Sequence, residues 1–190
     1  MWGHSDAHPR IESINEEEPS ITGYITNSIK NWLRDINCPS WCKHYSVQDD
    51  PPVESEGRVG RRRRRADIII ESNVKGRPEF VFEAKRLRKN GYGVNKYAGS
   101  EGMGCFIDSV YGSRYNETAM IGYVQSDSLD HWKSKIKEKI ENNNARLELR
   151  SAQQNITVID EIQFEWFSEH ARKAIGRHVK IYHILLDCIC

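Results

Sequence analysis

Two apolar segments joined by a short polar stretch constrain this chain more than any other feature. The first is Arg65-Ala66-Asp67-Ile68-Ile69-Ile70-Glu71 and the second is Phe80-Val81-Phe82-Glu83-Ala84-Lys85. Both are rich in β-branched and aromatic residues, the composition of strands. Ser72 to Glu79, between them, is polar and contains Gly76 and Pro78, so a hairpin is the simplest connection. Side chains alternate along a strand, so Glu83 and Lys85 share one face while Phe82 and Ala84 share the other. An antiparallel pairing with even register brings Asp67 to the face of Glu83. The same register brings Ile68 and Ile70 to the face of Phe80 and Phe82. A one-residue slip would mix the two sets, so the apolar pattern selects the register.

Two carboxylates and a lysine on one side of a hydrophobic hairpin suit a divalent-metal site with a charge-stabilising or general-base lysine beside it. Asp67 followed by Glu83-Ala84-Lys85 resembles the signature of the PD-(D/E)xK nuclease superfamily, the restriction endonuclease-like enzymes, in which an acid precedes a short hairpin and an acid-x-lysine triplet. Ala66 stands where that motif is usually written with proline. The resemblance implies an α/β (α+β) fold, a mixed central sheet flanked by helices. Its αβββαβ core would run from about Pro19 to Val124, followed by a C-terminal helix and strands.

The resemblance also implies chemistry. Asp67, Glu83 and the backbone carbonyl of Ala84 would hold Mg²⁺, with Mn²⁺ as a substitute. Lys85 would orient or deprotonate the attacking water and counter the developing charge. Such enzymes commonly take a further acid from the first core helix. Glu18 matches, lying nearest that helix's apolar stripe, with Glu17 behind it. A helix-dipole role for the Glu16-Glu17-Glu18 cluster explains the same residues structurally. An edge hairpin with a solvated Glu/Lys face is the plain alternative for the motif itself.

Charge is nearly balanced over the chain, at +1, but locally uneven. Arg58 and Arg61 to Arg65 lie just before the first acidic strand, and Lys85, Arg86, Arg88 and Lys89 at and after the second. A phosphodiester polymer needs such a basic collar, because phosphate contacts supply most non-specific affinity. Alternation sends Arg63 and Arg65 to the face of Asp67, and Arg62 and Arg64 to the other. Arg63, Arg65, Arg86 and Arg88 are the expected nucleic-acid contacts; a localisation signal is the rival account of the arginine run.

Elsewhere the pattern is coarser. Met1 to Glu16 reads as a leader and residues 17–190 as one domain. Ile21, Ile25, Ile29, Trp32, Leu33 and Ile36 recur at helical spacing, predicting a helix from Pro19 to Asp35. A strand is expected at His44 to Val47. The glycines between Gly91 and Gly104 match neither a phosphate-binding loop nor a dinucleotide fingerprint. A helix from Tyr97 to Tyr111 is expected instead, with Tyr97, Ser100 and Glu101 as candidate substrate contacts. Thr118 to Val124 reads as a buried strand, Leu129 to Asn143 as a helix, and Ile162 to Phe167 and His178 to Leu186 as further strands. The lysines of the Leu129–Asn143 helix circle it, as on a solvated exterior. His170, Arg172 and His183 are expected to be structural or surface residues.

Five cysteines at irregular spacing fit free thiols in a reducing, cytoplasmic setting. A zinc site from Cys38, Cys42 and His44 with Cys188 and Cys190 is the alternative. No apolar run approaches membrane-spanning length, and the start lacks the marks of a signal peptide or myristoylation site. The expectation is a Mg²⁺-dependent DNA endonuclease in restriction or antiphage defence. RNA as substrate, or an inactive nucleic-acid-binding module of the same fold, are the alternatives. No helicase, ATPase or methyltransferase motif is present, so sensing or translocation would come from a partner protein, and a homodimer is a further expectation.

Overall fold

In a computed structural model of the protein, the described residues are 16–53, 64–91, 93–110, 112–158, 160, 162 and 164–189. All of the expected leader but Glu16, together with Arg58, Arg61 to Arg63 and Cys190, lies outside them. Helix α1 spans Glu18–Arg34, with Pro19 in its first turn as expected. A 3₁₀ turn at Ser40–His44 leads into β1 (Tyr45–Asp49), followed by β2 (Ile68–Ser72) and β3 (Glu79–Leu87). Two short helices, α2 (Val94–Tyr97) and α3 (Met103–Ile107), precede β4 (Glu117–Val124). Then come α4 (Leu129–Asn142), α5 (Asn144–Leu147), β5 (Gln154–Asn155), β6 (Glu165–Arg172) and β7 (Arg177–Asp187).

The strands form one seven-stranded mixed sheet in the order β1-β2-β3-β4-β7-β6-β5. β3, β4 and β7 are parallel neighbours at its centre, and the remaining pairs are antiparallel. The β2–β3 hairpin has the even register, with Ile68 opposite Phe82 and Ile70 opposite Phe80. Both sheet faces are covered, unlike the plain edge hairpin with a solvated face. Ile21 and Ile25 of α1 pack on Ile68, Ala84, Ile121 and Tyr123. On the opposite face Val81, Leu87 and Met120 pack with Phe106, Trp132, Ile136 and Trp166. The charged side of the hairpin therefore shares its face with a second core.

The single helix expected from Tyr97 to Tyr111 is broken into α2 and α3. Gly102 explains the break: a Cβ there would lie 2.1 Å from the Tyr97 carbonyl oxygen, so only glycine permits the tight turn. The C-terminal strands form a hairpin, and the first starts at Glu165, three residues later than Ile162. The lysines of α4 are not all solvated, since Lys133 and Lys137 lie over the Trp166 ring.

The cysteines correct a second expectation. Cys38 and Cys42 are joined by a disulfide instead of standing as free thiols or zinc ligands. Cys188 is a buried thiol in the α1-side core, packed with Ile21, Ile25 and Tyr123. No helix among the described residues is long and apolar enough to cross a membrane.

Candidate active site

β2 begins at Ile68, just after Asp67 and opposite Phe82, while β3 continues to Leu87. Beyond that point the β3 amides facing β2 lose their strand partner, and each needs another acceptor. The Asp67 carboxylate accepts the N–H of Ala84 at 2.6 Å, and the Glu18 carboxylate accepts the N–H of Arg86 at 3.0 Å. Glu18 arrives from the first turn of α1, anchored on the opposite face by Ile21 and Ile25. Two acids from two elements thus cap one exposed strand edge.

Lys85 lies among these acids. Its ammonium donates to Glu83 Oε1 at 2.7 Å, to Glu18 Oε1 at 3.2 Å and to the Ala84 carbonyl at 2.6 Å. It stands 3.9 Å from Asp67 Oδ2. Its side chain is only 12% exposed, so these partners act with little solvent screening. Burial alone would depress the Lys85 pKa, but Glu83, Asp67 and Glu18 more than reverse this and hold it above the usual lysine value. Burial pushes the Asp67 carboxyl up to about 6, against the opposing pull of Lys85 and the Ala84 amide. Glu18 and Asp50 add smaller like-charge contributions in the upward direction.

The cavity over this cluster has a volume of about 500 Å³. Its carboxylates are Glu17, Glu18, Asp67, Glu83 and Glu101, and its cations are Arg64, Arg65, Lys85, Arg86 and Lys96. Among the described residues the two signs match in number. A second cleft, of about 530 Å³ between α1 and the sheet, is almost wholly apolar and lacks a convergent charged cluster. The chemistry lies in the charged cavity.

Asp67, Glu83, Ala84, Lys85 and Glu18 are all brought together, and Glu17 and Glu101 line the same cavity. The expected basic contacts fare unevenly. Arg63 is outside the described residues. Arg65 lines the cavity and is paired with Asp50 at 2.6 Å. Arg64, expected on the far side, lines the cavity as well, because residues 64–67 precede the regular strand and do not keep its alternation. Arg86 is buried and donates to Gln125 at 2.9 Å, which ties β3 to the end of β4. Arg88 points into a different cleft. Ser100 is exposed but does not line the cavity, and its carbonyl accepts from the Cys105 thiol.

Tyr97 is not a substrate contact: it is fully buried, and its hydroxyl bonds to His183 Nδ1 at 3.0 Å. That bond begins a buried chain that the sequence did not reveal. His183 Nε2 meets Ser168 Oγ at 2.8 Å, Ser168 Oγ meets His170 Nε2 at 2.7 Å, and His170 Nδ1 meets the Leu147 carbonyl at 2.6 Å. The carbonyl can only accept, and this fixes every proton in turn. His170 donates from Nδ1, Ser168 donates to His170, His183 donates to Ser168 and Tyr97 donates to His183. Burial lowers the pKa of His170 to about 4 and that of His183 well below its ordinary value, so both rings are neutral. Arg172 is likewise buried, donating to the carbonyls of Phe106, Gly112 and Tyr115.

Among the described residues no three His, Cys, Asp or Glu side chains form a ready-made metal cluster. The oxygens are instead drawn around the Lys85 ammonium. No family model matches the chain, and no curated protein or solved structure is significantly similar to it.

Proposed function

We propose that this protein is a divalent-metal-dependent nuclease hydrolysing phosphodiester bonds, with DNA as its first substrate and a restriction endonuclease-like core. One observation carries this: oxygens of Glu18 from α1, Asp67 from the segment before β2, and Glu83 and Ala84 from β3 converge within 4 Å of the Lys85 Nζ. Few structural needs require three carboxylates around one partly buried lysine, and burying them together is costly.

The donor set fits Mg²⁺ or Mn²⁺, because every donor is a hard oxygen and the site already gathers these oxygens about a positive charge. Asp67, Glu83 and the Ala84 carbonyl would hold the ion, which when bound neutralises phosphate charge and lowers the pKa of a water. Lys85, whose pKa the neighbouring carboxylates raise, would supply a positive charge that orients the water and stabilises the pentacovalent phosphate. Glu18 positions Lys85 and the β3 edge through its two carboxylate oxygens. Arg64, Arg65 and Lys96 face the same cavity, where phosphate oxygens would lie.

The element order from α1 to β4 supports the restriction endonuclease-like reading, with helix, three antiparallel strands, helices and a parallel strand in succession. Incubation of plasmid and linear DNA with Mg²⁺, with EDTA and with the Lys85→Ala variant tests it. Cleavage only by the parent protein with metal supports the function, and absence of cleavage under any metal removes it.

A further inference from the structure

Among the described residues, the cavity that holds Lys85 has as many carboxylates as cations, so these side chains together offer no net attraction to a polyanion. A nucleic-acid strand needs an unbalanced basic surface close by. One lies directly beyond the end of β3. A cleft of about 350 Å³ is lined by Arg88, Lys89, His131 and Lys135, with Asp127 as its only carboxylate among the described residues. Arg88, Lys89 and Lys135 make no ion pair with any described carboxylate, whereas Arg65 is paired with Asp50. His131 and Lys135 are four residues apart on α4 and so share one helix face. The two clefts are neighbours along the chain: β3 gives Lys85 and Arg86 to the first, and Arg88 and Lys89, just after its end, line the second. Helix α2 gives Lys96 to the first and Asn95 to the second.

Strand rise sets the spacing. β3 ends at Leu87, so Arg88 and Lys89 lie at most roughly 10–13 Å along the chain direction from Lys85. That matches about three to four nucleotides of axial rise along one strand of a duplex. We propose that the cleft of Arg88, Lys89, His131 and Lys135 seats backbone phosphates of the nucleic acid, three to four nucleotides to one side of the bond held at Lys85. The proposal rests on the nuclease reading for its register, but the contact to phosphate is independent of catalysis.

The test is equilibrium binding in EDTA, where no hydrolysis interferes. A fluorescently labelled DNA duplex about 20 base pairs long is titrated with parent, Lys89→Ala/Lys135→Ala and Lys75→Ala proteins across roughly 50–200 mM salt. Lys75 is exposed in the β2–β3 turn and serves as a control cation outside the cleft. The double variant is expected to reduce the slope of log K against log salt by about 2, and to weaken binding about tenfold or more at the lowest salt. The control should match the parent. Equal slopes for double variant and parent, or a parent that binds no duplex, would overturn the cleft. A parent that binds with the expected slope change yet never cleaves would remove the nuclease reading and leave the cleft standing.

Discussion

The Asp67 carboxylate accepts the Ala84 backbone N–H at 2.6 Å, in the place a strand-to-strand hydrogen bond would take if β2 continued. The same side chain sets a negative oxygen 3.9 Å from Lys85 Nζ. It therefore closes a sheet ladder and helps build a charged site, and substitution can separate the two roles.

Asp67→Asn keeps an acceptor oxygen for the Ala84 amide but removes the charge. Asp67→Ala removes both and leaves a partly buried N–H without its partner. In urea unfolding the Ala variant should lose about 1–3 kcal/mol and the Asn variant clearly less. Both should lose metal-dependent cleavage. Equal stability of the two variants would show that Asp67 does not close the ladder.

Glu18 presents a similar separation. Glu18→Gln retains an oxygen for the Arg86 amide while halting charge pairing with Lys85. Cleavage should be abolished with little change in thermal stability. If Glu18 served only the helix dipole, the variant would lose about 0.3–1 kcal/mol and keep its activity. A fully active Gln variant removes Glu18 from the site.

How far the sequence could foretell this depends on which contacts are local. The Asp67–Glu83 juxtaposition was legible because strand alternation and the apolar residues of one hairpin admit a single register. Glu18 was legible from the stripe Ile21, Ile25 and Ile29 that orients α1. Arg86, Tyr97, His170 and His183 were not. Their partners Gln125, His183, Leu147 and Ser168 sit on other elements, and no periodicity relates them. The Cys38–Cys42 disulfide was missed because compartment was inferred from cysteine count. The break between α2 and α3 was present as Gly99 and Gly102, but helical spacing of Phe106 and Ile107 with Met103 masked it.

The buried histidine chain makes stability depend on pH. His170 titrates near 6.5 when unfolded and near 4 when folded, so the unfolded chain binds the extra proton between these values. The stabilisation is complete above about pH 6.5 and is lost as pH falls toward 4, a change of roughly 3 kcal/mol. Asp67, whose folded pKa is raised to about 6, acts with the opposite sign over much of this window. The measurement is therefore a comparison with His170→Gln. The variant should be the less stable protein at neutral pH, and the gap should shrink by about 3 kcal/mol by roughly pH 4. A gap independent of pH would mean that His170 is not held neutral.

The disulfide closes a very short loop, from Cys38 to Cys42. Chain-entropy arguments give it about 2 kcal/mol, equivalent to roughly 4–8 °C in Tm for a protein of this size. Thermal unfolding with and without a reductant should show that difference, and Cys38→Ser/Cys42→Ser should show no further response. A reductant-insensitive parent would indicate that the bond contributes nothing to stability.

The central claim is that the carboxylates gathered on Lys85 form a catalytic site for phosphodiester hydrolysis. Its most direct test is single-turnover DNA cleavage with Mg²⁺ by parent and Lys85→Ala proteins, with duplex affinity measured on the same preparations. The parent should cleave with Mg²⁺ and stop with EDTA. Lys85→Ala should lose at least about 10³-fold in rate, the scale of removing a charge-stabilising group. It should retain affinity within a few-fold, because one cation among many supplies little of the phosphate-contact energy. Cleavage by Lys85→Ala at the parental rate, or no metal-dependent cleavage of DNA or RNA by the parent, would contradict the claim.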